Sequence, residues 1–252
     1  EKYGLTEALI AVPAYEQSSD QEVAFQAVDY ILRVLKKNMV FGMTWGRAMH
    51  EFVEQLAKDE RLRSLSFQNV KVVPFLGTPG AIQSDSWNTT TYSNTLATKV
   101  GNLLHCASYN LSAPMYVEGT KEKELIESID EIAKVLHMAE TADIALIGIG
   151  SMQDDSSIIK AEIRTKEEYK ELVRKGAVGE IVGRIYDKNG QTVDEDLKRK
   201  MVGISLDKIA KIPVRVGMSY GKDKIEAIKG AIAGGLVNVL VTDVPTAELL
   251  LK

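Results

Sequence analysis

Short apolar runs alternate with segments of helical period along nearly the whole chain, and this alternation limits the fold more than any single motif. Residues 8–12 read as a strand, and 20–37 as a helix with Ala27, Ile31, Val34 and Leu35 on one face. A strand at 39–41 and a helix at 47–57 follow, then a strand at 70–75, a polar loop at 76–91 and a helix at 92–106. Further on come a short strand at 115–117, a helix at 121–137 and a buried apolar strand at 144–149. Thr165 followed by Glu168 has the form of a capping box, opening a helix that ends near Gly176. The period then changes. Residues 178–186 and those from 192 flank the polar turn Asp187-Lys188-Asn189-Gly190, which predicts a hairpin. Alternation resumes with strands at 214–217 and 237–242 and helices at 222–233 and after Pro245. Elements of these lengths in this order predict an α/β fold, a mostly parallel sheet covered on both faces. No repeat, low-complexity tract or Pro- or Ser-rich linker divides the chain, so residues 1–252 read as one domain with a small antiparallel excursion around 178–203.

Composition removes several classes of function. A hydrophobic content of 45% and a charged content of 26% are ordinary for a soluble globular protein. Apolar runs such as 237–241 are far too short to span a membrane, and no secretory signal is visible. The single cysteine, Cys106, excludes an internal disulfide and fits a cytoplasmic protein. A formal net charge of −4 argues against a nucleic-acid surface on this chain taken alone. The first residue is Glu rather than Met, which reads as part of something longer.

In open parallel sheets ligands sit at the carboxyl ends of the strands. That rule selects the loops 42–47, 76–91, 148–157 and 217–224, all rich in Gly, Ser or Thr. Gly42-Met43-Thr44-Trp45-Gly46 joins a strand to a helix start, where free backbone N–H groups and a hydroxyl suit an anion or a polyhydroxylated ligand, and Arg47 adds a cation. The same stretch is equally readable as a tight turn with Trp45 packed on the core. Gly77-Thr78-Pro79-Gly80 has the same ambiguity, and the long polar loop after it favours a functional role. Gly148-Ile149-Gly150-Ser151 begins like a dinucleotide fingerprint, but Gln153 stands where the third glycine belongs. A dinucleotide is therefore not expected, and no other cofactor is.

Gly217-Met218-Ser219-Tyr220-Gly221 matches the nucleophile-elbow pattern between a strand and a helix. All three histidines, His50, His105 and His137, lie upstream of Ser219, contrary to the chain order that elbow requires. They also lack metal-ligand spacing. Cys106 reads as a small apolar residue rather than a nucleophile. No catalytic residue and no metal ligand is assigned. Lys222 and Lys224 at a helix start oppose the helix dipole, a cost that a bound anion would offset. Glu180, in the apolar stretch Gly176-Ala177-Val178-Gly179-Glu180, needs a partner or a hydroxyl ligand.

With these residues assembled, the chain resembles the effector-binding domain of SorC/DeoR-type bacterial transcriptional regulators of sugar metabolism. The matching stretches are 42–46, 142–151, 176–180, 183–187, 224–228 and 238–243 with Thr246-Ala247, specific in their order and spacing rather than singly. The resemblance covers nearly all of the chain, and Glu1-Lys2-Tyr3-Gly4-Leu5 looks like the point just after an N-terminal helix-turn-helix. It implies a Rossmann-like three-layer fold related to sugar-phosphate isomerases and CoA transferases, without catalysis. It also implies a sugar or phosphosugar effector, a homo-oligomer (dimer or tetramer), and operator DNA reached only through the missing N-terminal part. By analogy Gly42, Thr44, Trp45 and Gly46 would hold a phosphate or sugar hydroxyls. Gly77, Thr78 and Gly80 would form a second loop with Tyr92 and Asn94 nearby. Gly150 and Ser151 would add a third wall, and Glu180 and Lys224 would bind hydroxyl and anionic groups. Some relatives carry a basic residue where this chain has Leu76, so covalent capture there is not expected. The hydroxyl-rich second loop favours a neutral sugar end or a singly phosphorylated sugar over a bisphosphate. The rival reading is a sugar-phosphate isomerase or deaminase on the same fold, with Glu180 or Asp243 as base and Lys224 as anchor.

Overall fold

A computed structural model describes residues 2–12, 19–79, 89–154 and 156–252. Its strands are β1 (Glu7–Ala11), β2 (Val40–Met43), β3 (Lys71–Pro74), β4 (Ala107–Ser108), β5 (Ile144–Gly148), β6 (Gly150–Ser151), β7 (Ala177–Ile181), β8 (Arg184–Asp187), β9 (Val214–Met218) and β10 (Val239–Asp243). The helices are α1 (Ser19–Val34), α2 (Arg47–Leu56), α3 (Ser93–Leu103), α4 (Thr120–Glu127), α5 (Asp130–Glu140), α6 (Ser157–Lys160), α7 (Lys166–Arg174), α8 (Glu195–Lys200), α9 (Leu206–Ile209), α10 (Ile225–Ala233) and α11 (Val244–Leu251).

Seven strands form one parallel sheet in the order β1-β10-β9-β5-β2-β3-β4. Alternate residues of each strand enter different cores, as a period of two requires. Ile144 and Leu146 join α1, α2 and α3 on one face. Ala145 and Ile147 join α7, α10 and the small sheet on the other. That small sheet, β6-β7-β8, is antiparallel and is the excursion expected near 178–203.

From β2 the chain moves outward to β3 and β4, and from β5 it moves the opposite way to β9 and β10. The strand order therefore reverses between β2 and β5. A crevice opens there because α2 leaves β2 toward one face while the small sheet leaves β5 toward the other.

The structure corrects three local expectations. Residues 115–117 form no strand; Tyr116 makes only an isolated bridge to Met201, and the strand at this edge is β4. The helix at 121–137 is two helices, broken at Ser128 and Ile129, where the Ser128 hydroxyl donates to the Leu125 carbonyl and Ile129 turns extended. The hairpin folds mainly at Val182-Gly183, both in the left-handed region with φ of 56° and 69°. That is the handedness a two-residue hairpin turn needs. The β-branched Val182 disguised it. The 187–190 turn exists too, closed by Gly190 N–H on the Asp187 carbonyl at 2.9 Å.

The capping box stands as expected. Thr165 Oγ1 accepts from Glu168 N–H at 3.2 Å, and Glu168 Oε2 accepts from Thr165 N–H at 2.7 Å. Thr165→Ala is expected to cost about 1 kcal/mol, read as a Tm lower by about 2–4 °C. An unchanged melting curve would show that the cap contributes nothing.

Candidate functional site

At the reversal between β2 and β5 lies a cleft of about 220 Å³, walled by Trp45, Gly46, Arg47 and Ala48 on one side and Gly148 to Ser151 on another. Glu180, Lys224, Lys160, Ser156 and the 218–220 segment complete it. Three of the four strand-end loops chosen from sequence thus converge.

The first wall is the start of α2. Gly46, at φ 103° and ψ 178°, has a backbone conformation open essentially to glycine. It lets the chain turn from β2 into α2 while its N–H donates to the Thr91 carbonyl at 2.9 Å. No side chain caps α2 and no acidic residue lies in its first turn. The N–H groups of that turn therefore keep their partial positive charge facing the cleft, beside the exposed Arg47.

Glu180 forms the rear wall and is 7% exposed. It projects from β7 opposite Gly150, whose missing side chain leaves room: a Cβ there would stand 2.8 Å from Glu180 Oε2. Its carboxylate accepts from the Gly183 N–H and from the Trp45 indole. Burial nevertheless pushes this carboxyl up to about 7, against the opposing pull of Gly183, Lys224 and Trp45. Lys224 is turned elsewhere. Its Nζ donates to Ser151 Oγ at 2.8 Å and pairs with Asp223 at 3.2 Å, while Ser151 donates to Asp223 at 2.8 Å. Asp223 is thus the anion paired with Lys224, and both lie with Lys222 in a single 3₁₀ turn ahead of α10.

Of the residues chosen from sequence, Trp45, Gly46, Gly150, Ser151, Glu180 and Lys224 come together in the cleft. Thr44 and Gly42 lie behind it. Thr44 is 1% exposed, and its hydroxyl accepts the Gly148 N–H at 3.0 Å, tying β2 to β5. Gly42 is a packing residue, since the Phe75 ring occupies the space its side chain would need. The described start of the second loop, Gly77 and Thr78, is likewise bound into the scaffold. Gly77 N–H donates to Val202 and Thr78 N–H to Ala113, while Asn94 Nδ2 bonds Thr78 Oγ1 at 2.8 Å and the Leu111 carbonyl at 3.0 Å. Tyr92 is buried ahead of α3, and Leu76 is a core residue. Gly80 lies outside the described residues.

Sequence reasoning left Lys160 and Ser156 unnamed, because nothing local marks them and only the fold of 150–160 brings them to the cleft. Ser219, the elbow serine, is 4% exposed and donates to the Ile149 carbonyl at 3.3 Å. Asp243 accepts from Thr246 N–H and Ser19 Oγ, a cap on α11 rather than a base. Burial pushes the half-buried Cys106 thiol up to about 11, so it stays a neutral thiol near pH 7.

The cleft combines positive potential from the α2 start and Arg47 with the buried carboxyl of Glu180. It suits a small ligand carrying an anionic group and several hydroxyls.

A family model described as "Putative sugar-binding domain" matches residues 1–252. The sorbitol operon regulator of Klebsiella pneumoniae is 30% identical, over all of this chain and 78% of that protein. The transcriptional regulator LsrR of Escherichia coli is 30% identical over 90% of this chain and 67% of its own length. The crystal structure of the full-length Klebsiella regulator superposes with a TM-score of 0.87 at 28% identity, over all of this chain and 78% of that one.

Proposed function

Since the chain belongs to the sugar-binding domain family of SorC/DeoR-type transcriptional regulators, we propose that the cleft between β2 and β5 binds the effector, a sugar phosphate held without a covalent bond. The observation that carries this reading is that an uncapped helix start with Arg47 lines the same cleft as the buried Glu180 carboxylate. The α2 N-terminus and Arg47 take the anionic group, Glu180 and Ser151 take hydroxyls, and the Trp45 indole lies against the sugar. Lys224 and Lys160 add cations at the mouth. The absence of a basic residue at Leu76 supports one phosphate rather than two. Effector binding would favour one of two subunit arrangements in a cytoplasmic homo-oligomer of Rossmann-like domains. Operator DNA would be reached through another part of the longer regulator.

A thermal-shift panel of sugars and sugar phosphates tests this. At least one sugar phosphate is expected to stabilise the chain by about 2.7 kcal/mol at a hundred times its Kd, and its dephosphorylated form by much less. No stabilisation by any member would remove the reading.

The enzyme reading rests on one observation, a buried carboxyl poised near neutrality inside the cleft. Against it, neither Asp243 nor Ser219 is placed for chemistry, and the relatives are named as regulators. Conversion of the stabilising sugar phosphate by the native chain, lost in Glu180→Gln, would reverse the conclusion.

A further inference from the structure

Two carboxylates stand near Lys224, and only one of them holds it. Among the described residues its ion pair is with Asp223, at 3.2 Å, and Glu180 has none. Lys224 is nonetheless close enough for its charge to act on Glu180. Ser151 joins the outer pair, donating to Asp223 and accepting from Lys224, both at 2.8 Å. Ser151 and Lys224 line the cleft, whereas Asp223 is not part of its wall, and the Asp223 side chain is 46% exposed.

The backbone makes room for this outer pair. Gly221 sits at φ 110°, and a Cβ there would stand 2.9 Å from Asp223 Oδ1. The grip on Lys224 is weak all the same, because both partners reach water, and ion pairs open to solvent hold loosely. An anion inside the cleft, with less water around it, attracts the same lysine more strongly. The way inward is short. Ser151 follows Gly150, which pairs with Glu180 across β6 and β7. The lysine therefore passes from Ser151 toward Glu180 over a residue that has no side chain.

We propose that Asp223 sets the affinity of the cleft for anions by competing with the anionic group of the effector for Lys224. In the free chain the lysine lies outward, on Asp223 and Ser151. A bound anion draws it inward over Gly150, which also frees the Ser151 hydroxyl for the sugar. Binding has to break the outer pair, so an anionic effector is held less tightly than the cations of the cleft alone would hold it. A neutral sugar leaves the pair in place. This competition rests on the reading of the cleft as an anion site and adds what limits its strength.

The test is Asp223→Asn, which keeps the size of the side chain and its capacity to accept from Ser151 but gives up the charge. Inorganic sulfate, titrated at constant ionic strength, presents an anion without a sugar. The variant is expected to bind sulfate about five- to tenfold more tightly than the native chain does. The stabilising sugar phosphate should gain by a similar factor, and its dephosphorylated form should not gain. Glu226→Gln removes an equal charge from an exposed residue of α10 that pairs with Lys229, and should change sulfate binding by less than about twofold. In a Lys224→Met background, Asp223→Asn should have no effect. Equal sulfate binding by Asp223→Asn would overturn the competition, and weaker binding would do so by showing that Asp223 presents Lys224 to the anion. A gain that persists without Lys224 would overturn it as well. If no sugar phosphate binds while Asp223→Asn still tightens sulfate, the competition stands and the effector reading falls. Sugar-phosphate binding by the native chain with no gain in Asp223→Asn does the reverse.

Discussion

Glu180→Gln is expected to lower affinity for the stabilising sugar phosphate by roughly 10- to 100-fold while making the ligand-free chain more stable at pH 8. The first effect follows from replacing a charged acceptor with a neutral one where hydroxyls are bound, a change of about 1.5–3 kcal/mol. The second follows from burial. The folded carboxyl titrates near 7, above its ordinary value of 4.5, so the folded state holds its proton over a range where the unfolded chain has released it. Stability contributed by the protonated form is complete below about 4.5, falls as pH rises to about 7, and is absent above. The loss is about 3–4 kcal/mol, at about 1.4 kcal/mol for each pH unit of displacement. Glutamine keeps the shape and has no proton to lose. The two proteins should therefore unfold at similar urea concentrations at pH 4.5 and diverge by pH 8. Parallel pH profiles would mean that the cavity is wetter than the buried geometry implies. Unchanged ligand affinity would remove Glu180 from the binding site.

Arg184→Met is expected to be the most damaging single change outside the cleft, at about 3–5 kcal/mol and a Tm lower by roughly 10 °C. Arg184 is 3% exposed, follows the Val182-Gly183 turn, and has no carboxylate in contact among the described residues. Its guanidinium instead donates to the carbonyls of Lys198, Met201, Gly203 and Ile204, at 3.0–3.4 Å. Burial pulls its pKa down to about 10, yet it remains charged near neutral pH. Methionine fills a similar volume but leaves four carbonyls without this donor at a buried site. The 198–204 segment also receives the Gly77 N–H and donates Ile204 N–H to Phe75. Its loosening should therefore spread to the sheet edge near Leu76. A loss under 1 kcal/mol would show that water replaces the guanidinium.

Much of this molecule was legible in the chain. The strands of the main sheet other than β4, and the helices α1, α2, α3, α7, α10 and α11, were predicted within a few residues, because burial on one face or two imposes a period that sequence must carry. β4 escaped because two residues carry no period. The Val182-Gly183 turn escaped because a β-branched residue in the left-handed region is not a turn signal, although the turn is held locally by the bond from Gly183 N–H to the buried Glu180 carboxylate three residues back.

The cleft divides in the same way. Glycine, Thr and Trp at a strand end marked the loop 42–46, and a carboxylate within an apolar run marked Glu180, since each is costly without a purpose. Their division of labour was not marked. Whether Thr44 faces a ligand or Gly148, and whether Lys224 faces Glu180 or Ser151, depends on distances of a few ångströms set by how β2, β5 and the small sheet pack. By itself the sequence determined the layers, the strand ends and the chemical types gathered there, because these follow from local period and composition. Only the tertiary structure decided which polar groups satisfy one another and which are left facing the cleft, because a hydrogen bond between residues a hundred positions apart leaves no local trace.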